Sequence, residues 1–319
     1  ALYGHMSNLC ITDSAQTYHP DDIELNILAH ADTTDIDVVC GDFKLCANAN
    51  EGYSSLMEVY GIISEEINRQ WTERTIDESN LRRKLPTATL YMKTGHENPL
   101  ARFMSYIGYG FSSAYIDMKT SPVAGINGTL SVDTLNTNGI LLDKISANLI
   151  SDTDKISYDI SIANGQDNPQ YSFAALLKGE VINDGTTCTL TIDDKNGMRG
   201  IDIGISAVVE AEHIGLKFHD RPQILGYKEF MPNKNNAIRI GKGMRLSSDV
   251  MLVADDGVGF RLYTNDANVD ALQDLTLSVY NLDLASIFSI LPYTPNVKGV
   301  LNGDFHAIVD KESTSISSN

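Results

Sequence analysis

Asn281-Leu-Asp-Leu-Ala-Ser-Ile-Phe-Ser-Ile-Leu-Pro-Tyr-Thr-Pro-Asn-Val-Lys-Gly-Val-Leu-Asn-Gly-Asp-Phe305 decides how the rest of the chain is read. It begins as the end of a strand, Asn-Leu-Asp-Leu, and passes into a short amphipathic turn of helix. Pro292 and Pro295 then punctuate it, because proline cannot continue a helix. A new strand opens on Gly299 and Gly303, spaced Gly-x-x-x-Gly. The stretch carries no catalytic grouping. It reads as a seam between two β modules, so the question becomes what surface such modules build.

Working outward, alternation at period two dominates the chain. Ile23, Leu25, Ile27 and Ala29 share one face of a strand. Val39, Gly41, Phe43, Leu45, Ala47 and Ala49 read as the next such face, with Asp42, Lys44 and Asn48 turned away. Ile201, Ile203, Ile205, Ala207, Val209 and Ala211 give the cleanest case. Ile156, Tyr158, Ile160 and Ile162 repeat it, as do Phe173, Ala175, Leu177 and Val181, and Leu275, Leu277 and Val279. Strict alternation predicts half-buried strands of an antiparallel sheet. Asn183-Asp-Gly-Thr, Asp193-Asp-Lys-Asn-Gly-Met, Asp255-Asp-Gly-Val-Gly and Asn265-Asp-Ala-Asn supply the φ > 0 residues that tight turns need. The strands read as seven to nine residues, roughly 23–30 Å long.

Helical periodicity is largely confined to residues 52–108. Ser55 and Glu58 fit a capping box, followed by Leu56, Val59, Tyr60, Ile63, Ile67 and Trp71 at three- and four-residue steps. Residues 77–85 predict a short helix stopped by Pro86, and Asn98-Pro99 an N-cap with proline at the first helical position. The expected organisation is a β segment over 1–51, a helical insert over 52–108, and an antiparallel β body over 109–319. One long and two short helices cannot cover the apolar faces of a dozen or more strands. Those faces must close on themselves, pack on a second sheet, or form an open binding surface.

The formal net charge of −18 repels phosphate backbones and excludes a nucleic-acid reading; it also disfavours docking on an anionic leaflet. The longest apolar runs are only a few residues, so none spans a membrane as a helix. No leader is visible, and the opening Ala1-Leu-Tyr-Gly-His-Met-Ser-Asn-Leu reads as the middle of a strand pattern, so the chain is expected to be an excised piece. Cys10, Cys40, Cys46 and Cys188 form no C-x-x-C pair and read as small apolar residues. If one strand ran through Cys40 and Cys46 they would share its side, too far apart to bridge.

Several segments, taken in order, resemble the AsmA/TamB-like family. They are Val39-Cys-Gly-Asp-Phe-Lys-Leu, Lys84-Leu-Pro-Thr-Ala-Thr-Leu, Gly95-His-Glu-Asn-Pro-Leu, Asp117-Met-Lys-Thr-Ser-Pro-Val-Ala-Gly-Ile-Asn-Gly, Ile224-Leu-Gly-Tyr-Lys-Glu-Phe and the 281–305 seam. The resemblance implies an extended antiparallel β half-pipe (β-taco) in the periplasm, anchored to the inner membrane by a segment absent here. It implies an apolar groove that conducts phospholipid acyl chains between inner and outer membrane. It also implies an outer-membrane assembly protein of the BamA/TamA type as partner, through regions outside this piece. The groove is expected to be lined by Phe43, Leu45, Ile160, Ile162, Phe173, Leu177, Ile201, Ile203, Ile205, Val209, Leu275, Leu277 and Val279. Leu56, Ile63, Ile67 and Trp71 of the helical insert are expected to face it and to cap or gate one end. Gly41, Ala47, Ala49, Ala207 and Ala211 leave room on the apolar faces. Two rival readings share the same surface. One is an outer-membrane protein assembly module or holdase that pairs client strands at its edges; the other is a structural spacer with a closed core.

Nothing in the sequence predicts an enzyme, a cofactor or a metal. His96-Glu97 reads as a turn into the Asn98 cap. His213 and His219 lie six apart with Asp220 adjacent, without a convergent ligand set. Asp193-Asp-Lys-Asn-Gly lacks the distal glutamate of a calcium loop, since Gly204 stands there. Gly241-Lys-Gly-Met and Asp255-Asp-Gly-Val-Gly are too short for phosphate loops, and no Gly-x-Ser-x-Gly elbow occurs.

Overall fold

A computed structural model describes residues 1–12, 17–210, 213–241, 245–265, 272–310 and 313–319. Ala211, residues 242–244 of Gly241-Lys-Gly-Met and residues 266–268 of Asn265-Asp-Ala-Asn lie outside the described residues. The chain is mainly β, with one large antiparallel sheet of 22 strands, a separate two-stranded pair and four helices among the described residues. It divides into two units: residues 1–73, 77–172 and 180–183, and residues 74–76, 173–179 and 184–319.

The first unit contains β1 (Leu2–Met6), the isolated pair β2 (Ile11–Thr12) and β3 (Thr17–Tyr18), β4 (Ile23–Ala29), β5 (Thr34–Cys40) and β6 (Phe43–Ala49). Then come α1 (Tyr53–Glu73), α2 (Glu78–Arg83), β7 (Ala88–Thr94), α3 (Pro99–Tyr106), β8 (Tyr109–Gly110), β9 (Ser113–Ser121), β10 (Gly125–Thr137), β11 (Ile140–Ser151) and β12 (Lys155–Asn164). Antiparallel registers run β1–β4–β5–β6–β7–β9–β10–β11–β12. The 52–108 segment holds α1, α2 and α3 and also β7, a central strand paired with β6 on one side and β9 on the other.

β13 (Phe173–Ile182) has residues in both units. The second unit continues with β14 (Gly185–Asp193), β15 (Arg199–Glu210), β16 (His213–Phe218), β17 (Gln223–Leu225), β18 (Lys228–Pro232), β19 (Ile238–Ile240), β20 (Leu246–Val253), β21 (Gly259–Thr264), β22 (Gln273–Asp283), α4 (Leu284–Phe288), β23 (Val300–Val309) and β24 (Thr314–Ser318). The 281–305 seam folds as read: β22 ends at the Asp283 N-cap, whose side chain accepts from the Ala285 amide, α4 makes one short helix, and β23 returns antiparallel to β22. Strands reach 13 residues in β10 and 12 in β11 and β15, longer than the alternation alone suggests.

Two local readings are corrected. Gly41 and Asp42 form a tight turn between β5 and β6, with Gly41 at φ +56°, so no single strand runs through Val39 and Phe43. Val39 pairs with Lys44 and faces away from Phe43, Leu45, Ala47 and Ala49, and Cys40 and Cys46 lie on opposite faces. The helix α1 starts two residues before Ser55; Gly52 makes that start possible, since a Cβ there would stand 2.5 Å from the Ala31 carbonyl oxygen. The Asn98 cap, the Asp77-capped α2 and the turns at Asp184, Gly197 and Gly257 form where the sequence places them.

Candidate functional site

Residues directly opposite in an antiparallel ladder point to the same side, so the registers place the apolar sets of the strands they join. In the first unit, Ile23, Leu25 and Ile27 of β4 lie with Ile36 and Val38 of β5, and with Phe43, Leu45 and Ala47 of β6. The same side carries Leu90 and Met92 of β7, Ile116 and Met118 of β9, Leu130 and Val132 of β10, Ile145, Ala147 and Leu149 of β11, and Ile156, Tyr158, Ile160 and Ile162 of β12. The opposite side carries Glu24, Asp37, Lys44, Lys93, Asp117, Lys119, Asp133, Lys144 and Asp159. One side of this sheet is thus apolar on all of these strands, and the other carries these charges with Leu28, Val39, Tyr91, Tyr115 and Ile150 among them. Most of the apolar side chains are half-buried, and Ile160 is 39% exposed.

In the second unit Ile201, Ile203, Ile205, Ala207 and Val209 of β15 share a side with Cys188, Leu190 and Ile192 of β14, and with Ile214, Leu216 and Phe218 of β16. Leu275, Leu277 and Val279 of β22 share theirs with Leu262 and Phe260 of β21 and with Phe305 and Ala307 of β23. Part of this side is filled. Ile290, just beyond α4, is 0% exposed and packs on Ile192 and Ile201, with Ala175, Leu190, Ile203 and Leu225 around it. Gly200 makes room for it, since a Cβ there would lie 2.6 Å from two Ile290 carbons. A second cluster joins Phe230, Leu252 and Ala254.

The expected groove residues divide accordingly. Phe43, Leu45, Ile160 and Ile162 share one apolar side in the first unit. Phe173, Ile201 and Val279 are buried in the second, and Ile203 packs on the Ile290 cluster. Leu177, Ile205, Val209 and Leu275 are half-buried, and Leu277 is 37% exposed. The sequence reading missed Ile290, although it lies inside the seam, and the apolar sets of β7 and β9, whose period-two pattern was legible.

Of the four helix residues expected to face the groove, Leu56 reaches the apolar side of the sheet. It stands over Ile36, Ala47, Leu90 and Met118 at a cavity of about 280 Å³. Ile63 is half-buried. Ile67 and Trp71 do not cover the sheet: they are 51% and 86% exposed, on a solvent stripe with Tyr53, Met57 and Tyr60. The inward turn of α1 is polar there. Glu66 accepts from Lys84 Nζ (2.7 Å), Gln70 Nε2 (2.8 Å) and Asn80 Nδ2 (2.7 Å) and pairs with Arg69. Arg69, then Lys84 and Gln70, hold its carboxyl far below the usual carboxylate range. This hub fastens α1 to α2.

The groups with chemical potential are occupied by structure. The four cysteines are free; burial, then the charges of Asp21 and Asp42, raise the Cys40 thiol, which donates to the Asp21 carbonyl at 3.4 Å. Such a thiol is a poor nucleophile. Asp194 Oδ1 accepts from the Asn196 and Met198 amides at 2.8 and 2.9 Å, closing the β14–β15 turn. His213 stands 2.9 Å from Glu210, and His96 and Glu97 are both solvent-exposed. No group of three His, Cys, Asp or Glu side chains fit for a metal occurs among the described residues, and no described helix is long and apolar enough to cross a membrane. No protein-family model, curated protein or solved structure matches the chain.

Proposed function

We propose that the apolar side of the sheet binds phospholipid acyl chains, and that the chain is part of an envelope protein of the AsmA/TamB type that carries lipid between the inner and outer membrane. One observation supports this reading most: the register brings apolar side chains to the same face on every strand of the run β4–β5–β6–β7–β9–β10–β11–β12, with a charged face behind it. Such a half-covered apolar face exceeds what solvation of a lone soluble chain favours. Each methylene laid on it contributes about 0.8 kcal/mol, so a whole acyl chain is held firmly while its headgroup stays in water. In this reading the sheet curves as a half-pipe, the protein works in the periplasm, and its anchor and its contact with an outer-membrane assembly protein lie in other parts of the polypeptide. The closed-core reading draws its support from the second unit, where Ile290 and Phe230 fill the face and Val250 and Val279 are buried as well.

The test is native mass spectrometry with solvent extraction on protein purified without detergent from a diderm host. Ile160 is the site for a charge, because it is already 39% exposed, and far-UV circular dichroism checks that Ile160→Asp is folded. Ile203→Asp is unsuitable, since it would break the Ile290 cluster. The expected result is copurified phospholipid in the wild type, reduced about tenfold in Ile160→Asp, the effect of roughly 1.4 kcal/mol. A wild-type protein free of lipid that also ignores added lipid would overturn the reading.

A further inference from the structure

The helix α1 carries a second apolar stripe that the fold does not use. Its inward stripe is Leu56, Val59, Ile63, Glu66 and Gln70, all buried or half-buried. Tyr53, Met57, Tyr60, Ile67 and Trp71 form the other, and each is more than half exposed. With Ser64 they recur at alternating steps of four and three, the a and d positions of a heptad repeat. At 3.6 residues per turn the two stripes lie a little over a quarter-turn apart, so packing on the sheet does not cover the outer one.

Charge and area point to a second copy of this chain as what covers it. The charged residues of α1, Glu58, Glu65, Glu66, Arg69 and Glu73, all fall at the b, c and f positions of that heptad. The positions that flank the stripe hold Ser54, Gly61 and Asn68 on one side and Leu56, Ile63 and Gln70 on the other, none of them charged. Two copies of a chain with a net charge of −18 repel, and they meet most readily where charge is absent. An anionic membrane surface fits less well, because Arg69 is the one cation of α1 and it is already paired with Glu66 and Glu73. The five large side chains expose roughly 700 Å² per chain. A symmetric pair would hide about 1,400 Å², within the 1,200–2,000 Å² or so of a specific interface.

The side-chain sizes also choose the orientation. Antiparallel helices about a two-fold axis set Tyr53 on Trp71 of the second copy, Met57 on Ile67, and Tyr60 on Ser64, large against small at the midpoint. A parallel pair would set Ser64 on Ser64 and Trp71 on Trp71, one layer empty and another crowded. Gly61 borders the midpoint. A glycine inside a helix weakens it, and a Cβ at Gly61 would meet no atom within 4 Å beyond its own stretch of helix, so packing within the chain gives no reason for one. Close approach of another helix does. We propose that the chain forms a symmetric dimer in which two α1 helices pack antiparallel along this stripe. The contact uses none of the sheet's apolar face and is independent of lipid binding.

Trp71 is the chain's one tryptophan, so its emission reports on this seam. Sedimentation velocity and Trp71 fluorescence are followed on the whole chain from about 0.1 to 100 μM, because interfaces of this size associate at micromolar concentration or below. The emission is also read with phosphatidylcholine vesicles. The expected result is a dimer, with a blue shift that grows in step with it and needs no lipid. Met57→Glu, at an exposed position, is expected to weaken the dimer about tenfold or more. Met57→Glu/Ile67→Lys sets opposite charges against each other across the antiparallel seam and is expected to regain most of that loss. Within one chain the two positions are about 15 Å apart along the helix, so the rescue acts between chains. Far-UV circular dichroism checks that both variants are folded. A chain that stays monomeric through the whole range, or whose emission shifts only with vesicles, overturns the proposal. A dimer that Met57→Glu leaves intact overturns it too, and a double variant no tighter than Met57→Glu overturns the antiparallel pairing.

Discussion

Gly200→Ala and Ile290→Ala form a pair whose coupling tests how the seam fills the apolar side of the second unit. A Cβ at Gly200 would stand 2.6 Å from Ile290 Cγ1 and Cγ2 and 2.9 Å from Cδ1, inside any real carbon–carbon contact. Because Gly200 is not at positive φ, the methyl meets packing resistance and no backbone strain. Overpacking of this kind costs about 2 kcal/mol. Ile290→Ala removes a fully buried side chain from the cluster with Ile192 and Ile201, which costs about 3 kcal/mol. In the double variant the methyl introduced by Gly200→Ala enters space that the Ile290 side chain has left, so most of the first cost disappears. The summed loss is then about 3 kcal/mol rather than about 5, a coupling of about 2 kcal/mol. Urea unfolding followed by far-UV circular dichroism on the four proteins measures it. Additivity within about 0.5 kcal/mol would refute the argument, because it would mean that Ile290 does not occupy the space over Gly200.

Two further outcomes follow from buried polar groups. Asn98 is fully buried, bonds Asp42 (2.7 Å) and Thr94 (2.8 Å), and caps α3 at the Ala101 amide (3.0 Å), so Asn98→Ala is expected to cost about 3 kcal/mol in urea unfolding, and a loss under about 1 would contradict this. The Asp274 carboxyl is lowered from its ordinary 3.8, first by the hydrogen bond with His306 at 2.6 Å and, against the opposing effect of burial, by Asn265. A depressed carboxyl contributes stability above its unfolded value and loses it as pH falls through the folded value, so the contribution fades below about pH 4. Asp274→Asn should therefore flatten the acid limb of a urea-midpoint profile; parallel limbs in the two proteins would contradict the assignment.

The strand content was legible because each ladder uses one face, and a period of two is all that such a face requires. The seam was legible because Pro292 and Gly299 can be read only as breaks. The β5–β6 turn escaped because Val39 and Gly41 happen to extend the odd-numbered series of β6, whereas the apolar side of β5 is even-numbered, Ile36, Val38 and Cys40, the parity switching across the two-residue turn. Trp71 and Ile67 were misplaced for a different reason. The apolar arc of α1 is wide, and the sequence cannot show that the inward turn would be given to Glu66 and Gln70, whose partners on α2 and at Lys84 come from later in the chain.

What alternation cannot report is what lies against a face, and the two units differ in that respect. In the second, the linker that joins β22 to β23 is long enough to return Ile290 over β14 and β15, and Gly200 is the concession that admits it. The seam therefore both connects strands and fills a stretch of the surface they create. In the first unit the corresponding apolar side has the helix α1 near it, Leu56 is the α1 residue at the cavity, and Thr34, Ala49, Ala88 and Thr120 form a row of small side chains beside it. A helix meant to close a core would turn Tyr53, Tyr60 and Trp71 inward, where about 150–250 Å² of each would be buried. They point outward instead. The largest side chains of α1 thus stand away from the sheet, and it is the smaller Leu56 that meets the sheet's apolar side.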